Sequence, residues 1–96
     1  MKTEIIEHPR MTLEKFADKH CLTMQVMERS PKLAKAHGRY FASFKNADVH
    51  RDHMLHGVFG NGETPEQAIA EYAKKISGQL LTIDGGKTDI LCPTFV

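Results

Sequence analysis

Several features are missing from this 96-residue chain, and each absence excludes a class of protein. No apolar run approaches the roughly 20 residues that a membrane-spanning helix requires. The opening "MKTEIIEHPR" carries acids and no apolar stretch, so it does not read as a secretory signal, and a cytoplasmic location is expected. Cysteine is scarce: Cys21 and Cys92 stand far apart, which in a reducing compartment favours two buried thiols over a disulfide. There is no internal repeat, linker or low-complexity segment. No G-x-S-x-G elbow and no clear acid pair is present, so the chain reads as a non-enzyme.

What is present is a small globular domain with an uneven charge. Residues 1–28 carry net −1 and residues 57–96 carry −2. Residues 29–56 hold six basic residues (Arg29, Lys32, Lys35, Arg39, Lys45, Arg51) against Asp48 and Asp52, for +4. His37, His50, His53 and His56 fall in the same stretch. A basic middle between acidic flanks points to an anionic partner.

Hydrophobic periodicity gives the elements. "TEIIEHPR" reads as a tail or edge strand ended by Pro9. Thr12 caps a helix over residues 12–21, with Leu13, Phe16, Ala17 and Cys21 on one face. "LTMQVMER" alternates as a strand stopped by Ser30-Pro31, and "SPKLAKAHG" reads as a basic loop. "RYFASFKNA" is a second strand, with Tyr40 and Phe44 towards the core and Phe41 outward. "DVHRD" reads as a turn, "HMLHGVFG" as a third strand, Thr64–Ser77 as a second helix, and "LLTID", "GGKT", "DILC" as a hairpin. The expected architecture is α+β, in the order α-β-β-β-α: a three-stranded antiparallel sheet, two helices on one face, and a short C-terminal β hairpin. Residues 1–96 form one domain, with a core unit over 12–78 and a β extension over 79–96.

The stretch "GNGETPEQAIAEYAKKISG" poses the main functional question, because glycine-rich turns before helices often hold phosphate. Helix-making explains its parts. Thr64 is an N-cap, Pro65 suits the first helical position, and Gln67 suits a capping box. Lys74 and Lys75 suit the C-terminal end of the dipole, and Gly78 the C′ position. Glu63 and Glu66 already occupy the positive end of the helix. No Lys-Ser or Lys-Thr pair follows the glycines, so the P-loop pattern is absent.

His50, His53 and His56 are spaced by three, which on extended chain turns His53 away from the other two, so no metal site is expected. No cofactor is implied. The candidate binding residues are Arg29, Lys32, Lys35, His37, Arg39, Arg51 and His53.

Three resemblances add to this reading. Residues 12–78 resemble the double-stranded-RNA-binding domain in element order and in the junction "GVFGNGETPEQAIAEYAKK". That family places lysines at the start of its second helix to hold phosphates. Here the matching "ETPEQ" is acidic, which points away from ordinary duplex RNA. "RYFASFKNA" followed by "GNGETPEQAIAEYAKKI" is similar to HicB-type antitoxins, which implies a small toxin as partner. "TLEKFADKH", "RYFASFKNA" and "GNGETPEQAIAEYAKKISG" together resemble small accessory proteins of tailed phages, some of which are anti-CRISPR proteins. That likeness implies a host protein or ribonucleoprotein as partner, with nucleic acid a further candidate and no membrane. It sets no oligomeric state and assigns no residue roles.

Overall fold

The computed structural model describes residues 1–3 and 11–95. The tail or edge strand expected over "TEIIEHPR" therefore falls largely outside the described residues.

The first helix, α1 (Leu13–His20), starts where its cap predicts: the Lys15 backbone N–H donates to Thr12 Oγ1 at 3.2 Å. It buries Leu13 and Phe16 and ends at Cys21, which adopts a left-handed conformation (φ 54°). Strand β1 (Met24–Glu28) follows with the expected alternation, Met24 and Val26 half-buried and Gln25 exposed.

The segment read as a basic loop is instead a two-turn helix, α2 (Pro31–His37), with Pro31 in its first turn. It buries none of its residues, so no apolar stripe marks it in the sequence. Strand β2 (Tyr40–Phe44) lies where expected, with Phe44 in the core but Tyr40 only half-buried and outside it, while "DVHRD" is a strand and not a turn: β3 spans Ala47–Arg51. "HMLHGVFG" is likewise two strands, β4 (Met54–His56) and β5 (Gly60–Gly62), and they join different sheets. The second long helix, α3 (Pro65–Ile76), and the hairpin β6 (Leu80–Ile83) and β7 (Thr88–Leu91) complete the order.

The class is α+β, but with two antiparallel sheets where one was expected: β1-β2-β5 and β4-β3-β6-β7. The chain crosses between them at Lys45-Asn46, where Asn46 takes φ 58°. Asparagine tolerates this left-handed geometry better than most residues. The crossing is tied to both sheets: the Lys45 N–H donates to Thr23 O at 2.8 Å, and Asn46 O accepts from the Asp84 N–H at 2.9 Å. The C-terminal hairpin is present as expected, and it supplies half of the four-stranded sheet.

One cluster of buried side chains spans both sheets: Leu13, Phe16, Phe44, Val49, Tyr72, Ile76, Leu81 and Cys92. Phe44 packs edge-on against Tyr72 (5.5 Å between centroids) and lies 6.2 Å from Phe16, so α1 and α3 cover the same face of the first sheet. Leu81 and Cys92 belong to residues 79–96, which makes that segment part of the core. Cys92 is buried, but Cys21, expected to be buried, is exposed. No helix among the described residues is long and apolar enough to cross a membrane.

The glycines before α3 have a packing role. A Cβ on Gly60 would lie 2.0 Å from Ala68 O and 2.2 Å from Tyr72 N, and one on Gly62 would lie 2.6 Å from Ala68 N. Only glycine lets β5 run this close to α3.

Candidate functional site

The site is built around one arginine. Arg29 directly follows β1, and its N–H donates to Arg39 O at 2.7 Å, prolonging the β1–β2 ladder. Its side chain reaches the last turn of α2: Nη1 donates to His37 O (3.1 Å), Gly38 O (3.2 Å) and Tyr40 O (3.4 Å). A cation there satisfies carbonyls that a helix end leaves unpaired. Nη2 donates to Asn61 Oδ1, tying α2 to β5. The guanidinium lies 4.6 Å from the centroid of Phe41, a favourable cation–π distance. Phe41 thus faces away from the core, as its place in "RYFASF" implies, and packs edge-on against Phe59 at 5.7 Å.

The network continues across β5. The Asn61 backbone N–H and Nδ2 both donate to Glu71 Oε1, at 3.0 and 3.3 Å. Glu71 pairs with Lys75 at 2.9 Å, and Lys75 Nζ donates to Phe59 O at 2.8 Å. The Lys75 ammonium, then the Asn61 N–H, hold the Glu71 carboxyl below its ordinary range.

These residues surround an open groove of about 440 Å³, lined by Arg29, His37, Arg51, Phe59, Asn61 and Lys75, with Gly57 and Val58 between them. Three side chains of the lining are basic, one is an imidazole, and none is a carboxylate. The Glu71 carboxylate adjoins the lining, paired with Lys75 and accepting from Asn61.

Of the seven candidate residues, the groove collects Arg29, His37 and Arg51. The other four stand elsewhere. Lys32 and Lys35 are exposed on α2. Arg39 is engaged with Glu28 (3.0 Å) and lies over the Tyr40 ring at 5.2 Å. That hydrogen bond and charge raise the Arg39 pKa further. His53 is exposed in the β3–β4 turn, with φ 62°. Among the described residues, no three His, Cys, Asp or Glu side chains converge as a metal site would need.

Phe59, Asn61 and Lys75 line the groove without having stood out in the sequence. Lys75 reads there as a dipole partner of α3, and Phe59 as one apolar position of a strand. Their convergence depends on β5 leaving the second sheet for the first. Comparison with protein families, curated proteins and solved structures finds no match to this chain.

Proposed function

We propose that this is a non-enzymatic binding protein that engages an anionic partner through the groove between α2, β5 and α3. In the phage-type setting that the sequence resembles, that partner is a host defence ribonucleoprotein and the protein its inhibitor. The observation that carries the reading is the lining: Arg29, Arg51, Lys75 and His37 around an exposed aromatic ring, with no carboxylate among them. Arg29 gives its donors to carbonyls and Asn61, so it supplies field and rigidity; Lys75 gives two of its three donors to Glu71 and Phe59 O and keeps one for a ligand, and the exposed Arg51 is the more open cation. Such concentration of one sign in a concave site raises local anion concentration and speeds encounter.

The test is titration of the protein with labelled RNA and with heparin at several salt concentrations. Binding is expected to both, weakening with salt by a log–log slope of about −0.7 for each phosphate neutralised on a single strand. Absence of binding to either polyanion at low salt would remove the reading.

A second reading, a HicB-like antitoxin that binds a small toxin, draws support from a different surface. Among the described residues, strand β4 pairs only with β3 and leaves Met54 (62%) and Leu55 (46%) exposed. An apolar sheet edge suits a protein partner that adds a strand. Leu55→Lys would abolish such a complex while leaving anion binding intact.

A further inference from the structure

We infer that the groove takes an unpaired nucleotide of a single strand, with its base laid on Phe59 and its phosphates held by Arg51 and Lys75. This rests on the anion-binding reading above and narrows it to one class of nucleic acid.

The first support is the state of Phe59. It is 45% exposed, yet its ring and its backbone each have a partner. Its ring meets Phe41 edge-on at 86°, and Phe41 is in turn fixed beneath the Arg29 guanidinium. Its carbonyl accepts the Lys75 ammonium. A large aromatic that is exposed on one face and packed on another is a stacking platform, because a base can settle on the open face.

The second support is the distribution of charge around that ring. Arg51 and Lys75 line the same groove as Phe59, which places cations beside the stacked base where a sugar-phosphate chain must run. The groove volume of about 440 Å³ falls in the range of roughly 300–1,000 Å³ typical of small-ligand sites. That is room for a splayed-out nucleotide.

The third support is what a duplex would meet. The exposed start of α3 carries Glu63 and Glu66. Phosphates spread over a duplex face would approach these acids, whereas a single strand confined to the groove meets one carboxylate, Glu71, which is already paired with Lys75 and Asn61. Asn61 adds no strong base readout, since its oxygen accepts from Arg29 and its amide donates to Glu71. Stacking without such readout predicts weak sequence preference.

The chain has no tryptophan, so a fluorescent base can be followed without interference. The experiment titrates the full chain into RNA and DNA single strands that each carry one 2-aminopurine, into the matching RNA duplex, and into 2-aminopurine riboside monophosphate. Stacking on Phe59 should quench the single strands, and the RNA and DNA arms show which sugar is preferred. Phe59→Leu should abolish quenching and weaken single-strand binding roughly 5- to 150-fold, equivalent to the about 1–3 kcal/mol that stacking contributes per base. Phe59→Tyr should restore both. Arg51→Gln, which leaves the Phe41–Phe59 pair untouched, should weaken single-strand binding and flatten its salt dependence while quenching at saturation persists.

Unchanged affinity in Phe59→Leu, a duplex bound as tightly as the single strands, or a free nucleotide bound as tightly as either strand would each overturn the inference and leave the anion-binding reading standing. Failure of every polyanion to bind would overturn both.

Discussion

The Glu71 carboxylate accepts two hydrogen bonds from Asn61, one from its backbone N–H at 3.0 Å and one from its side-chain amide at 3.3 Å. Strand β5 lies at the edge of its sheet, where unpaired N–H groups invite other chains. Glu71 closes one such group from the side of α3 and fixes the amide so that Asn61 Oδ1 faces Arg29. The contact should show in acid. Lys75 and Asn61 hold the Glu71 pKa below its ordinary 4.5, so the folded state binds a proton there less readily than the unfolded chain. The stabilisation is fully present above pH 4.5 and is lost as the pH falls below it through the lowered native value. Melting temperatures measured against pH should fall less steeply on the acid side in Glu71→Gln than in the parent protein. Parallel acid limbs would show that Glu71 contributes nothing through this contact.

Gly60 is expected to be the least replaceable residue of the glycine-rich stretch. An alanine there drives its Cβ into the backbone of α3 at Ala68 and Tyr72, and neither can move without shifting the helix. Gly60→Ala should destabilise by about 1–3 kcal/mol or more, in the manner of overpacked cores. Gly85 is a fitting control: its φ is +70° but its Cβ position is open, so Gly85→Ala meets only the left-handed penalty of about 1–2 kcal/mol. Chemical denaturation of both variants should rank Gly60 as the more damaging. The reverse ranking would mean that β5 and α3 separate more easily than their contact implies.

The parts of the fold written in local chemistry were legible in the sequence. Thr12 and Thr64 act as side-chain caps, Pro65 opens α3, and Gly85-Gly86 turn the terminal hairpin. The N-terminal box of α3 is offset by one residue, with Gln67 Oε1 accepting from the Glu63 N–H. The parts set by distant partners were not legible. Helix α2 has no buried residue and no side-chain bond at its Ser30 cap, and its C-terminal end is held by Arg29 from outside the helix. Strand β3 buries only Val49 among charged and half-buried neighbours, so its polar sequence resembles a turn until β4 and β6 pair with it on both sides. The groove inherits this pattern. Arg29, His37 and Arg51 were visible as part of a basic stretch, whereas Phe59, Asn61 and Lys75 join them only through the transfer of the chain between sheets.

The basic middle should divide by place and not by count of charges. Lys32 and Lys35 are exposed on α2 and outside the groove lining, and Arg51 is within it. Lys74 neighbours Lys75 in sequence, yet only Lys75 lines the groove. Reversal of single charges to glutamate should leave stability within about 0.5 kcal/mol at Lys32, Lys35, Lys74 and Arg51 alike. RNA affinity should fall most for Arg51→Glu, less for Lys32→Glu and Lys35→Glu through the general field, and least for Lys74→Glu. These differences should narrow at high salt as exposed charges are screened. Equal losses at all four positions would reduce the interface to non-specific positive charge.

The two cysteines should behave as opposites. Cys92 is buried in the core, and burial alone pushes its thiol up to about 12, so the nucleophilic thiolate is scarce at neutral pH. Cys21 is exposed and caps α1 in a left-handed conformation (φ 54°) that residues with a Cβ adopt at a cost. Iodoacetamide at neutral pH should therefore modify one thiol in the native protein and both in denaturant, with the native adduct mapped to Cys21 by mass spectrometry. The same geometry makes Cys21→Gly a stabilising change. Glycine takes the left-handed C-cap without steric penalty, and the gain should approach about 1 kcal/mol after the greater backbone freedom of glycine in the unfolded chain is offset. The variant keeps a single protected thiol, so it should resist alkylation until it unfolds. Its melting temperature should rise by a few degrees, since about 1 kcal/mol shifts a domain of this size by roughly 4–8 °C. A lower melting temperature would mean that the Cys21 side chain makes a contact worth more than its backbone strain, and rapid alkylation of the remaining Cys92 would mean that the hairpin β6–β7 opens without global unfolding.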